Sequence, residues 1–344
     1  MTNPINFHTI SSYIIAEVGQ NHQGSLEEAL RYVSVYAGLG ADAVKFQMRD
    51  NKYLFDSSIY NSVYNSENSF GNTYGSHREN LELTLDDFLR LKERCQMYNI
   101  GFIVTPFDEP SLERCISIGV DILKVASFDI GNIPFLKLIG QTKLPVVMST
   151  GGSQLKQIQE SVKCITDYHN NIALLHCVSK YPCPANEMQL NKLKTLISSF
   201  PDVVVGLSDH FNGIITGPLG FMLGAKVFEK HVTFDRALKG TDHPFSLEPD
   251  GFRRFVRDIK RTPILLQINE ELEVGNEPVF QKLGKSICAA CNIPAETIIT
   301  PQMLSGKIVR PTVIPVRESM NVIGKATKIN IPKGAFLDHC HLQS

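Results

Sequence analysis

Residues 13–47, YIIAEVGQNHQGSLEEALRYVSVYAGLGADAVKFQ, hold one complete strand–helix–strand unit. Tyr13–Glu17 and Ala43–Phe46 are short and nearly all apolar rather than alternating, the pattern of parallel strands buried on both faces. Between them Ser25 stands three residues before Glu28, a capping-box spacing that predicts a helix over Ser25–Leu39. The same alternation recurs along the chain. Further strands are expected at Gly101–Thr105, Ile122–Val125, Pro145–Ser149, Ile172–His176, Val203–Ser208 and Val227–His231, with helices at Leu85–Tyr98, Leu155–Tyr168, Leu190–Phe200 and about Glu248–Ile268. Eight such units predict an α/β fold, a (β/α)8 TIM barrel over residues 1–270, with its functional groups at the C-terminal strand ends. A doubly wound open sheet is the alternative. The count of eight and the lack of a GxGxxG turn after the first strand weigh against it.

Outside this repeat lie two other kinds of segment. Asp50–Thr84 is rich in Asn, Ser, Tyr and Gly and is long for a βα connection, so a lid or a mobile loop is expected. Residues 271–281 read as a linker, since Gly, Pro and acidic residues cluster there. From Lys282 to the end the pattern becomes short strands and turns, at Ser286–Ala290, Asn292–Glu296, Thr297–Thr300 and Asn330–Gly334, which predicts a small β domain over 282–344. Of the 344 residues, 43% are hydrophobic and 20% charged, with a net charge of −1 and no concentrated basic surface. Nucleic acid and anionic membrane are thereby disfavoured as partners. No apolar run approaches the ~18 residues of a membrane span, and Met1–Ser12 has no signal pattern. The eight cysteines are scattered in a chain large enough not to need staples, so reduced thiols and a cytoplasmic location are expected. Cys288 and Cys291 have redox spacing but no thioredoxin-like context, which favours core packing. Asp338–His341 reads as a flexible tail rather than a metal site.

Polar residues stand at the tip of every expected strand: Glu17; Lys45 and Gln47; Thr105; Lys124 and Ser127; Ser149 and Thr150; His176, Ser179 and Tyr181; Ser208 and His210; His231. A single polar tip is commonly a loop cap, but eight together predict one convergent mouth. Two lysines among hydroxyls suit a small, highly charged anion. Alternatively, one lysine forms an internal ion pair with Glu17. His210 and His231, from neighbouring strands, could hold one divalent ion with positions left open for water or substrate.

The phrases IIAEVGQNHQGSLEEAL, GADAVKFQ, TPFDE, KVAS, MSTGG, HCVSKYP, GLSDH, EKHVT and KGTDHPFSLEP, in this order, resemble the N-acetylneuraminate (sialic acid) synthase family. The tail, with KLGKSICAACNIPAETIIT, LSGKIVRP and IGKATKINIPKGAFL, is similar to that family's antifreeze-like SAF (β-clip) domain. The resemblance implies a synthase that condenses phosphoenolpyruvate with an open-chain amino sugar, using a divalent metal (Mn2+ first, Mg2+ or another ion second). It also implies a domain-swapped homodimer. Carried over by motif, Lys45, Thr105, Lys124, Ser127, Ser149, Ser179, Tyr181 and Ser208 would bind phosphoenolpyruvate, and His210 and His231 the metal. Glu17, Gln47 and Asp242 would meet the sugar or support the chemistry, and Arg310 would reach the partner's sugar site. Glu17 or Asp129 would manage a proton, beside Lys45 and Lys124 as charge-neutralising catalytic groups. Where many relatives carry Ser-Gly-Glu, this chain has Ser127-Phe128-Asp129, a carboxylate one methylene shorter. KVASFDI is similar to the pseudaminic acid branch, whereas EVGQNHQGSL and GNTYGSHRENLEL are similar to neuraminate synthases. N-acetylmannosamine is the first acceptor implied, a diacetamido-dideoxy hexose the second. A Schiff-base aldolase using Lys124, and a non-catalytic sugar-binding paralogue, are the rival readings.

Overall fold

The computed structural model describes residues 5–269, 275 and 277–343. The chain forms two compact units, Met1–Leu266 and Gln267–Ser344. In the first, β1 (Tyr13–Gly19), β2 (Ala43–Met48), β3 (Gly101–Pro106), β4 (Ile122–Val125), β5 (Val146–Ser149), β6 (Ile172–Cys177), β7 (Val204–Asp209) and β8 (Val227–His231) close into a barrel. Every neighbouring pair is parallel, and β8 returns to β1 with His231 beside Glu17. The helices are α1 (Leu26–Gly38), α2 (Asn51–Leu54), α3 (Ser57–Tyr60), α4 (Tyr74–Glu79), α5 (Leu85–Met97), α6 (Glu109–Ile118), α7 (Ile133–Gln141), α8 (Leu155–Thr166), α9 (Lys192–Ser199), α10 (Thr216–Met222) and α11 (Pro249–Leu265). The expected barrel is thus present, with strand bounds within two residues of those read from the sequence. Ser25 caps α1 by accepting from Glu28 N at 3.3 Å, while the Glu28 carboxylate turns to Arg31 at 3.5 Å.

Strand alternation divides the interior into layers. Tyr13, Ile15, Ala43, Ile103, Ile122, Val147, Ala173, Leu175, Val204 and Val227 pack together inside the lower barrel, with Phe7 beneath them. Further along each strand, by two residues on all but β7, where Gly206 intervenes, the same inward face becomes polar: Glu17, Lys45, Thr105, Lys124, Ser149, Cys177, Ser208 and Glu229. The opposite faces pack on the helices in a larger apolar core. An apolar floor of this kind contributes about 1.5–3 kcal/mol per buried aliphatic side chain. It also sets a rigid, dry base under the charged layer.

Asp50–Thr84 is built rather than loose: it carries α2, α3 and α4, and Thr73 and Ser76 form a reciprocal cap at the start of α4. Asn68 Oδ1 accepts from Gly240 N at 2.9 Å, joining this segment to the loop after β8. Among the described residues no helix is long and apolar enough to cross a membrane.

The second unit has its own apolar core around Ile287, Ile293, Ile299, Ile314, Val322, Ile331 and Leu337. It differs from the reading of the sequence in detail. One antiparallel pair, β9 (Lys285–Ala289) with β10 (Leu304–Ile308), is its only sheet among the described residues. Asn292–Glu296, Thr297–Thr300 and Asn330–Gly334 contribute isolated bridges, such as Ile293 with Ile331, in place of strands. Pro residues and turns interrupt them before a ladder can extend. Within the expected linker, 271–274 and 276 lie outside the described residues, and Pro278–Leu283 is a short helix, α12. All eight cysteines are free, Cys288 buried and Cys291 exposed. Asp338–His341 is an ordered turn in which Asp338 caps a 3-10 helix, with buried Leu342 anchoring it.

Candidate active site

The polar layer opens into a cavity of about 300 Å³ at the C-terminal end of the barrel. Its walls include Glu17, Lys45, Gln47, Thr105, Lys124, Ser127, Ser149, Tyr181, Ser208, His210, His231 and Asp242. Ser179 stands directly behind, its Oγ 3.1 Å from Ser127 Oγ. A side chain on Gly151 would collide with Ser179 Oγ, so only glycine lets the β5–α8 turn come so close.

The two lysines have different settings. Lys45 Nζ lies 2.8 Å from Glu17 Oε2 and 3.6 Å from Glu229 Oε2, and donates to Thr105 Oγ1 at 3.3 Å. The internal pair with Glu17 raised as an alternative is therefore real, and it coexists with a place on the cavity wall. Burial acts to lower the Lys45 pKa, but the two carboxylates outweigh it and hold the ammonium charged. Lys124 Nζ donates to Ser149 Oγ at 2.7 Å and to the Val125 carbonyl at 3.0 Å, with no carboxylate in ion-pair contact among the described residues. Burial pushes its pKa down, with Glu229 opposing. Burial likewise pushes Glu17 up, against the pull of Lys45.

Glu229 was not singled out from the sequence. Burial would raise its pKa, yet Lys124 and Lys45 together hold it down to about 2, and Ser208 donates to its Oε1 at 2.8 Å. The available signal was spacing, since Glu229 stands two residues before His231 on β8 and so shares its face. By the same alternation Lys230 points outward, where its ammonium is fully buried against Asp209 at 2.7 Å. His176, placed among the tips in the sequence, also faces outward and bonds the Met188 carbonyl at 2.7 Å. Cys177 takes its place in the cavity.

The imidazoles of His210 and His231 stand 5.2 Å apart, centroid to centroid, with Tyr181 4.1 Å from His210. Burial lowers both pKa values to about 4, so each ring is neutral at pH 7 with a lone pair to give. His210 Nδ1 is engaged by the Val178 carbonyl at 2.9 Å, which directs Nε2 elsewhere. Among the described residues the buried His231 Nδ1 has no hydrogen-bond partner, and Asp242 Oδ2 lies 3.8 Å from it. Two neutral imidazoles, one ring nitrogen orphaned beside a carboxylate, fit a divalent cation with open coordination positions. Among the described residues no three His, Cys, Asp or Glu side chains close on one point as a complete metal cage.

A hydrogen-bonded path runs from this layer to the rim. Gln47 donates to Glu17 Oε1 at 2.8 Å, and Arg49 Nη2 donates to Gln47 Oε1 at 2.6 Å. Arg49 Nη1 lies 3.5 Å from Glu82 Oε1, which also accepts from Gln20 at 3.3 Å, and Arg78 donates to Gln20 Oε1 at 2.7 Å. The Arg49 guanidinium also sits 3.7 Å from the centroid of Phe107, which stacks on exposed Phe128. Arg49, Arg78, Phe107 and Phe128 belong to the cavity and were not identified from the sequence.

One expected residue is not brought to this wall. Asp129 follows Phe128 in a 3-10 turn that points Phe128 out and turns the carboxylate inward, where Oδ1 accepts from Asn132 at 3.0 Å. Arg310 belongs to the second unit, is exposed, and donates to the Lys282 carbonyl at 3.1 Å.

Comparison with known proteins bears on the whole chain. The sequence model of the NeuB family matches residues 32–270. N-acetylneuraminate-9-phosphate synthase of Homo sapiens is 32% identical over 320 residues, 93% of this chain and 89% of that one. The N,N'-diacetyllegionaminic acid synthase of Legionella pneumophila is 32% identical over 344 residues, covering 98% and 96% of the two chains. Among solved structures, the N-acetylneuraminic acid (sialic acid) synthetase of Leptospira borgpetersenii in complex with citrate matches with a TM-score of 0.66. Its identity is 35%, and the match covers 76% of this chain and 88% of that chain. With its barrel, its charged layer and these similarities together, this chain belongs to the NeuB family.

Proposed function

We propose that this enzyme condenses phosphoenolpyruvate with the open-chain form of N-acetylmannosamine, or a closely related acetamido sugar, and water, releasing phosphate and a nine-carbon sialic-type acid. One observation carries the reading: two buried ammonium groups, Lys45 and Lys124, and two buried imidazoles, His210 and His231, line one cavity at the C-terminal strand ends. The first pair suits the donor's phosphate and carboxylate, the second an acceptor carbonyl.

Lys45 and Lys124 neutralise the donor's charges, and the hydroxyls of Thr105, Ser127, Ser149, Ser179 and Ser208 orient its oxygens, with the Tyr181 ring beside them. The enol carbon of the donor forms the new bond to the acceptor's aldehyde carbon. Water adds to the carbon left electron-poor, and phosphate departs with its bridging oxygen. A divalent ion held by His210 and His231, Mn2+ in the first instance, supplies Lewis-acid polarisation of the acceptor carbonyl when bound. Glu17, kept high in pKa by burial, accepts a proton from the incoming water, and Gln47 and Asp242 align the acceptor. The position of Asp129 off the wall favours Glu17 for that step. We assign the second unit as a SAF-type domain whose Arg310 completes the sugar site of a partner copy. The tail phrases and the exposure of Arg310 support this.

Phosphate release from phosphoenolpyruvate is the decisive assay, with N-acetylmannosamine, mannose and a diacetamido-dideoxy hexose as acceptors, in Mn2+ and in EDTA. Release with an acetamido sugar, abolished by EDTA, is expected; silence with every one of these sugars and with the 6-phosphate of N-acetylmannosamine overturns the reading. The lowered pKa of Lys124 favours a second reading, a Schiff-base aldolase. Borohydride with pyruvate would then add mass to Lys124, whereas the synthase reading predicts an unmodified lysine.

A further inference from the structure

A smaller cavity of about 40 Å³ adjoins the site, sharing Gln20, Arg78, Thr241 and Asp242 with it. It lies between the 50–84 segment, which contributes His77 and Arg78 from α4, and the loop after β8, which contributes Lys239. Neither of its two cations is in contact with a carboxylate among the described residues, Glu82 acting on Arg78 only from a longer range. Arg78 donates only to neutral oxygens, Gln20 Oε1 at 2.7 Å and the Tyr74 hydroxyl at 2.8 Å, and Lys239 sits 4.8 Å from the Phe70 ring centroid. Among the described residues neither forms an ion pair. Arg49, the neighbouring arginine of the rim, does have its carboxylate in Glu82, as Lys45 has in Glu17. The one carboxylate on the shared wall, Asp242, is directed at His231 at 3.8 Å and at the Thr241 hydroxyl at 3.0 Å.

Cations left unpaired at the edge of a binding cavity are in place for an anion that arrives with the ligand. On the synthase reading the donor's charges are met in the deep layer by Lys124 and by Lys45, which Glu17 shares, so the unmatched pair at the rim faces the acceptor. At roughly 10–15 Å³ for each water-sized atom, the annex has room for about three, the number of terminal oxygens on a phosphate ester. A guanidinium beside an ammonium matches a dianion better than a single carboxylate.

We propose that the annex is the subsite for a phosphoryl group on the acceptor, esterified at the end of the sugar chain opposite its carbonyl and held by Arg78 and Lys239. The inference rests on the synthase reading above and narrows it to a sugar phosphate. Overall identity does not make this choice. Two relatives at 32% identity bear names that differ on this point, one carrying a phosphate and the other not. The surroundings of His77 agree: after burial, Arg78 and Lys239 are the groups that press its pKa down, to about 4.

The test compares N-acetylmannosamine with its 6-phosphate on the full-length enzyme at saturating phosphoenolpyruvate and metal. The phosphate ester is expected to show a KM lower by about tenfold or more. Lys239→Gln should raise that KM about tenfold while leaving the KM values for the free sugar and for phosphoenolpyruvate within about twofold, and Arg78→Gln, whose side chain also lines the main cavity, should raise the KM for the phosphate ester about tenfold more than it raises that for the free sugar. Lys239 is exposed, so its variant is not expected to disturb folding. A second readout needs no turnover: binding of the phosphate ester should shift the ring resonances of His77 in the wild type and not in Arg78→Gln. Equal KM values for the two sugars, or variants that weaken both alike, would overturn the subsite and leave the synthase reading standing. Absence of turnover with either sugar would instead strike at that reading, while the His77 shift would still decide the annex.

Discussion

Glu17 meets three parts of the site at once. Its Oε2 is paired with Lys45, its Oε1 accepts from Gln47, and in the sheet it lies beside His231. Burial raises the pKa of this carboxyl against the pull of Lys45, which makes it a stronger proton acceptor than an exposed carboxylate. Glu17→Gln keeps the shape and removes the base. The expected result is a fall in kcat of about 100-fold or more, with the phosphoenolpyruvate KM changed far less. Asp129→Asn, altering a carboxylate turned toward Asn132, should cost less than about tenfold in kcat. A reversed order in single-turnover rates would return the proton-handling role to Asp129. At this scale the sequence was legible where side-chain type alone carried the meaning, as for Lys45, Lys124, His210 and His231. Glu229 and Lys230 are adjacent charged residues on one buried strand, and nothing in their composition says which enters the barrel. Only the closure of β8 onto β1 sorts them, and the same ambiguity exchanged His176 for Cys177.

The elements divide the work. Strands β1 to β8 supply the inward layer, while the 50–84 segment and the loop after β8 supply the rim. The strands could be read because apolar runs bounded by helices have few other solutions. The short helices α2 to α4 could not, since each is too brief for a helical period to emerge from a polar stretch. β10 was hidden for a related reason, because Gly306 and Lys307 break its apolar pattern. Within the segment His77 is a latch: its Nδ1 accepts from Phe70 N at 3.1 Å, and its ring packs 4.6 Å from Tyr64. Its folded pKa, about 4, lies below the ordinary 6.5, so the unfolded segment takes up the proton first. The stability this contributes is full above pH 6.5 and is lost as pH falls toward 4. Two outcomes follow. The His77 ring resonances should keep their neutral positions down to about pH 5, and limited proteolysis within 50–84 should accelerate between pH 6.5 and 4. Titration of His77 near 6.5 would contradict the burial argument.

For the whole molecule, the assignment of Arg310 to a partner's site makes a prediction about mixtures. Arg310→Ala chains and Glu17→Gln chains should each be nearly inactive toward the sugar. Mixed under conditions that allow subunits to exchange, they should regain up to about a quarter of wild-type sites, since half the dimers are hybrids and each hybrid has one intact pair. No recovery despite proven exchange would confine each site to a single chain. Arg310 itself is silent by pattern, because an exposed arginine in a turn has no local signature, and only the phrase KIVRP marked it.

The division between a strand-built interior and a loop-built rim has a consequence for ancestry. A one-residue insertion in β8 would swap Glu229 and His231 for Phe228 and Lys230, so the strand-built interior of the cavity can hardly drift without being destroyed. The 50–84 segment and the loop carrying Lys239 lie between strands, where lengthening and exchange leave every strand register untouched. Diversification in such a lineage should therefore be written almost wholly in these two interludes, and transplanting both from a cousin with another taste in sugars should transplant the taste with them.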